Sequence, residues 1–123
     1  MQISDVYRPQ LLTCQTADTL RTVAQKMTAE QVGAVALVDD AHIAGIISER
    51  DVTRAVADGA DTAAVAASQY ASTQLMTATL NDDTHSVARL MLEGDVRHLP
   101  VIQDHQLIGM VSMRDLLAVE TWA

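Results

Sequence analysis

Apolar residues fall in short runs, and the runs recur in the same order twice along the chain. Leu11-Leu12-Thr13-Cys14 follows Pro9 and reads as a strand. Leu20, Val23, Ala24 and Met27 then recur at helical spacing behind Asp18 or Thr19 as the cap. Ala34-Val35-Ala36-Leu37-Val38 is an unbroken apolar run of the buried-strand kind. Asp39-Asp40-Ala41-His42 reads as a turn, and Ile43-Ala44-Gly45-Ile46-Ile47 as the second arm of a hairpin. A helix should start at Ser48, with Val52, Ala55 and Val56 inward, and end near Asp58, with Gly59 as its C′ residue. The order then returns: a strand at Leu75-Met76-Thr77, a helix from about Asp83 with Val87, Leu90 and Met91 inward, strands over Leu99-Pro100-Val101-Ile102 and Leu107 to Val111, and a helix from Ser112. Pro100 has no N–H, so it should lie at a sheet edge or a strand start.

The recurrence is exact in register. A shift of 64 positions lays the chain on itself without a gap, matching Asp18, Val23, Met27, Gly45, Ser48, Arg50 and Asp51 to Asp82, Val87, Met91, Gly109, Ser112, Arg114 and Asp115. A repeat of that length is a supersecondary unit used twice. The expected fold is therefore α+β, two β-α-β-β-α repeats related by pseudo-twofold symmetry around one core and a shared cleft. Residues 1–59 form the first repeat with its N-terminal strand and 74–123 the second. Residues 60–73, rich in Ala, Ser and Thr, read as a connection with room for a short Ala-rich helix. One repeat alone would be too small to bury a stable core.

Composition narrows the class. Apolar residues make up 49 % of the 123, which suits a packed globule, and with no Phe the core must be Val, Ile, Leu, Ala and Met. The formal net charge of −8 argues against nucleic acid as a partner, because such binders need a basic face. The start, Met1-Gln2-Ile3-Ser4-Asp5, lacks signal-peptide character. No apolar run approaches the ~20 residues of a membrane span. A single cysteine, Cys14, excludes an internal disulfide and fits a reducing compartment, so a cytoplasmic protein is expected.

The chemistry concentrates in Gly45-Ile46-Ile47-Ser48-Glu49-Arg50-Asp51 and its copy Gly109-Met110-Val111-Ser112-Met113-Arg114-Asp115. Each sets Ser, Arg and Asp where a strand becomes a helix. The Asp can accept hydrogen bonds from a ribose diol, the Ser adds a partner, and the Arg offers a planar fork for phosphate. The bland alternative is a capping box, in which Ser and Asp satisfy the helix's own amides. The Gly before each motif favours a ligand, since it leaves room for a flat group to approach the backbone. Arg114 and Arg97 have a second reading as surface ion pairs. Cys14 reads as a packed thiol and the methionines as core filler, while His42, His85, His98 and His105 show no metal spacing.

These motifs, their doubling, and Val96-Arg97-His98-Leu99-Pro100-Val101 make the chain resemble a tandem pair of cystathionine beta-synthase (CBS) domains, a Bateman module, over about residues 3–58 and 70–121. The resemblance implies two clefts for adenosine-containing ligands: AMP, ADP, ATP, NAD or S-adenosylmethionine. It implies that Asp51 and Asp115 hold ribose hydroxyls with Ser48 and Ser112 nearby. It pairs Thr77 to Leu80 with Asp51, and Thr13 to Thr16 with Asp115, around the adenine. Arg97 and His98 match positions facing phosphates. Gly33-Ala34 stands where the second repeat has Arg97-His98, so the clefts should differ in affinity. The implied protein is a small regulatory sensor, not an enzyme, that needs no cofactor or metal and forms a homodimer through helices carrying Val52, Val56, Leu116 and Leu117. Two rivals stand beside it: a dimeric scaffold whose clefts bind nothing, and an enzyme using His98 and Asp115.

Overall fold

The computed structural model describes residues 1–9, 12–40, 42–73 and 76–122, with the backbone alone over 120–122. The predicted Leu11 and Leu75 therefore lie outside the described residues. The chain divides into two compact units, Leu12–Leu75 and Met1–Leu11 with Met76–Ala123.

The first unit holds β1 (Thr13–Gln15), α1 (Leu20–Glu30), β2 (Ala34–Asp39), β3 (His42–Ser48) and α2 (Glu49–Ala57). The sheet runs β1-β2-β3, with β1 parallel to β2 and β2 antiparallel to β3. Thr19 caps α1 by accepting from the Thr22 amide, so the capping residue is Thr19 rather than Asp18. Leu20, Val23 and Met27 of α1 are buried with Cys14, Val35, Leu37, Ile47 and Ala55. Burial pushes the Cys14 thiol up, away from a reactive thiolate. Val56, expected inward, is exposed, because α2 turns its Val52–Ala55 stripe to the core and Val56 is about 100° further round the helix. Gly59 takes the left-handed conformation expected of it, at φ 79°.

Residues 60–73 are not a free connection. Leu20 N–H donates to the Val65 carbonyl (3.0 Å), Ala67 N–H to Asp18 (2.8 Å), and Ser72 and Ile46 exchange a pair of backbone bonds (3.0 and 2.9 Å). The segment thus satisfies polar groups of α1 and β3, and in place of an Ala-rich helix it forms one 3-10 turn, Ala67–Gln69, with Ala67 fully buried.

The second unit holds α3 (Thr84–Gly94), β4 (His98–Gln103), β5 (Gln106–Ser112) and α4 (Met113–Trp122). Asp83 caps α3, and the Ser86 amide bonded to its carboxylate holds that carboxyl below its ordinary range. Thr84, Val87 and Met91 are buried, whereas Leu90, expected inward, lies beside that stripe and is 40 % exposed. The N-terminal segment, expected with the first repeat, belongs here. Ile3 is fully buried among Ala78, Met91, Leu99, Val101, Val111 and Leu116. Its N–H donates to Asp82 (2.9 Å), Ser4 N–H to Leu80 (3.0 Å), and Arg8 and Met110 exchange backbone bonds (2.8 and 2.9 Å). The turn Ile3–Asp5 lies 64 positions before Ala67–Gln69, and the Arg8–Met110 bridge matches Ser72–Ile46, with Arg8 64 positions before Ser72 and Met110 64 after Ile46, so the two units are built alike.

One asymmetry has a direct cause. The predicted strand at Leu75-Met76-Thr77 is not formed by Met76 and Thr77; only Ala78 bridges to Val101. In the first unit, Ala36 N–H donates to the Leu12 carbonyl and extends β1. The equivalent of Ala36 is Pro100, which has no proton to give. The ladder keeps only Ala78 N–H to Pro100 O and Ile102 N–H to Ala78 O, both 2.9 Å. Pro100 therefore stands at an edge of the β4–β5 pair, as predicted. Among the described residues no helix is long and apolar enough to cross a membrane.

Candidate functional site

Each unit ends its hairpin at a serine and starts a helix one residue later. Ser48 lies opposite Ala34 and Ser112 opposite His98 in the strand registers. The first amide of each following helix is taken by a carbonyl at the foot of the neighbouring strand: Glu49 N–H donates to Gly33 (3.0 Å) and Met113 N–H to Arg97 (2.8 Å). The next orphan amides are satisfied by capping boxes. Ser48 N–H donates to Asp51 Oδ2 (2.8 Å) and Asp51 N–H to Ser48 Oγ (3.4 Å). Ser112 N–H donates to Asp115 Oδ2 (3.1 Å) and Asp115 N–H to Ser112 Oγ (3.0 Å).

The caps leave one oxygen per carboxylate. Asp51 Oδ1 faces Arg54 (3.3 Å), and Asp115 Oδ1 receives Nε and Nη2 of Arg8 (3.3 and 3.2 Å). The carboxylates are 15 % and 13 % exposed, their arginines 57 % and 59 %. Ion pairs with one partner so exposed contribute only ~0–1 kcal/mol. A pair of ligand hydroxyls can therefore displace either arginine, and the cap holds the receiving oxygen in place beforehand.

Contrary to expectation, Gly45 and Gly109 leave no room for a flat ligand. A Cβ on Gly45 would lie 2.8 Å from the Ser72 carbonyl, and one on Gly109 would overlap the Arg8 carbonyl and the Tyr7 ring. The space is filled by other backbone of the same unit, Ser72 at Gly45 and Arg8 at Gly109, so these glycines serve backbone packing, not a flat ligand.

The remaining candidates are spread over the two units. In the second, His98 is half-buried across from Ser112, Arg97 is exposed beside the start of α4, and Arg114 is exposed. Among the described residues neither Arg97 nor Arg114 makes an ion pair. Leu80 packs on that unit's core and Thr77 is exposed. In the first, Thr13 and Thr16 lie half-buried at either end of β1, and the Thr13 carbonyl accepts from Lys26 Nζ (2.7 Å). Arg8 and Arg54 were not among the sequence candidates. Arg54 is one turn from Asp51 and legible as a helical neighbour. Arg8 is 107 positions from Asp115, and its equivalent in the other repeat is Ser72, so the repeat carried no sign of it. No group of three His, Cys, Asp or Glu side chains among the described residues could hold a metal ion.

Two hairpins, each closed by a capped Ser-x-x-Asp junction, define a doubled α+β module, and the CBS domain family model matches residues 3–58 and 67–120. The chain belongs to the CBS domain family. It is 28 % identical to the CBS domain-containing protein YhcV of Bacillus subtilis (strain 168), over 93 % of this chain and 81 % of that one. It is 30 % identical to Hypoxic response protein 1 of Mycobacterium tuberculosis, over 80 % of this chain and 71 % of that one. Among solved structures it resembles the CBS domain protein PAE2072 from Pyrobaculum aerophilum complexed with AMP, at TM-score 0.86 and 26 % identity, covering 98 % of this chain and 99 % of that one.

Proposed function

We propose that the chain is a ligand-sensing regulatory module whose junction carboxylates receive the ribose diol of an adenosine-containing ligand. The observation that carries this is the pre-set carboxylate, present twice: one oxygen fixed by a cap, the other backed only by an exposed arginine. Asp51 and Asp115 are the ribose acceptors, with Ser48 and Ser112 beside them. Arg97, His98 and Arg114 are the phosphate-facing residues in the second unit. The adenine-facing stretches are Thr13–Thr16 and Thr77–Leu80. β1 supports this as the edge strand of its sheet. AMP is the first ligand to try, given the AMP complex of the Pyrobaculum relative. Such a module works without catalysis. A ligand shifts its conformational or partner equilibrium by its differential affinity for two states.

Melting the protein against AMP, ADP, ATP, NAD and S-adenosylmethionine tests this reading. A ligand that binds only the native state at one hundred times its Kd adds ~2.7 kcal/mol, which should raise Tm by about 5–15 °C. If none of the five moves Tm and calorimetry detects no binding, the scaffold reading replaces this one.

The module is also proposed to self-associate. Of the four residues expected on the dimer face, Leu116 is fully buried in its own unit and Val52 packs on its unit's core, because each lies on its helix's inward stripe. Val56 and Leu117, at 61 % and 57 % exposure, remain for a partner copy. Light scattering should give twice the chain mass at micromolar concentration, and Val56→Glu with Leu117→Glu should halve it. A monomeric unaltered chain would rule self-association out.

A further inference from the structure

We propose that Arg8 is a specificity-determining residue that makes the Asp115 junction select ligands carrying a phosphate over neutral nucleosides. The inference rests on the ribose reading of Asp115 and adds the ligand's charge. Arg8 is held at its backbone by two hydrogen bonds to Met110, two residues before Ser112. Its guanidinium therefore stays within a side-chain length of Asp115. Nε and Nη2 both donate to Asp115 Oδ1, the oxygen left over from the cap. A diol arriving at that oxygen must displace the guanidinium. A neutral nucleoside offers the displaced cation nothing. A nucleotide brings a phosphate, for which the guanidinium fork is the matching donor set.

The first unit differs in the same respect. Arg54, displaced from Asp51, would keep its bond to the Tyr70 carbonyl (3.0 Å) and its place over the Tyr70 ring (5.7 Å). Arg8 has no second side-chain partner among the described residues. The surrounding charge follows this division. Arg8 is on Asp115, with Arg97 and Arg114 beside the start of α4, whereas the first junction has Arg54 and Arg50, with Ser72 and Gly33 at the positions of Arg8 and Arg97. In a chain of net charge −8, that local group of arginines is what an anion can use.

Calorimetric titration of AMP and of adenosine tests this, using the full chain in an Asp51→Asn background so that the Asp115 junction is read alone. Arg8→Ala and Arg8→Gln should each weaken AMP about tenfold, as expected for one charge-assisted hydrogen bond, and leave adenosine unchanged or tighter. Arg8→Lys should restore part of the AMP preference. Equal changes for both ligands, or no change for either, would reduce Arg8 to a structural ion pair and overturn the inference alone. No AMP binding by the unaltered chain would overturn it together with the ribose reading.

Discussion

Gly109→Ala should be the most damaging single-methyl change in this protein. The new Cβ would overlap the Arg8 carbonyl and the Tyr7 ring, and neither is a flexible chain end that can swing aside. Arg8 is tied to Met110 through both its N–H and its C=O, so relief requires breaking a bridge that docks the N-terminal segment. Overpacking of this kind costs about 1–3 kcal/mol, which lowers Tm on the order of 5–15 °C in a domain of this size. Gly45→Ala meets the Ser72 carbonyl at 2.8 Å and should follow closely. Gly94→Ala supplies the control. Its Cβ meets only the mobile end of Met76, and Ala improves the helix, so Tm should hardly move. A Gly109→Ala protein melting within about 2 °C of the unaltered chain would show that the segment docks loosely.

Loss of a junction carboxylate should cost most in binding. A hydrogen bond to a charged group contributes ~1.5–3 kcal/mol, so Asp51→Ala and Asp115→Ala should each weaken AMP at their own junction roughly tenfold to hundredfold. The same changes remove a cap, at about 0.5–2 kcal/mol of stability. Asn separates the two roles, since its amide oxygen can still accept from the serine N–H but carries no charge. Asp51→Asn and Asp115→Asn should keep Tm close to the starting value while affinity falls. Near-normal AMP affinity in both Ala variants would assign these residues to capping only.

Much of this architecture was legible in the sequence because the periodicities are clean. The β2–β3 hairpin and the starts of α1, α2 and α3 lie within a residue or two of where apolar spacing and Thr, Ser and Asp caps set them. The Ser-x-x-Asp junctions were legible as well, although both of their readings were open until the caps appeared. What could not be read were pairings between distant segments. Ile3 and Arg8 look like part of the first repeat because they precede it, and nothing local shows that they bond to Asp82 and Met110. The failed strand at Met76-Thr77 was decided by a proline in its partner strand, not by its own residues. Leu90 and Val56 show a narrower limit, since apolar character at the margin of a helical stripe does not say which side of the margin is buried.

The docking of Ile3 and Arg8 onto the second unit also has a consequence for biosynthesis. Residues 12–75 form one compact unit, and the ribosome delivers all of it while the remainder is still being made. Residues 1–9 are translated before all of it, yet their partners at Asp82, Met110 and Asp115 come up to 107 positions later. The early segment must wait unpaired until those partners have been made. Its docking closes a loop of up to 107 positions, which makes it a slow, late step. A nascent chain stalled before Met110 should present Ile3 and Tyr7 to proteases and chaperones, and the finished protein should shield them.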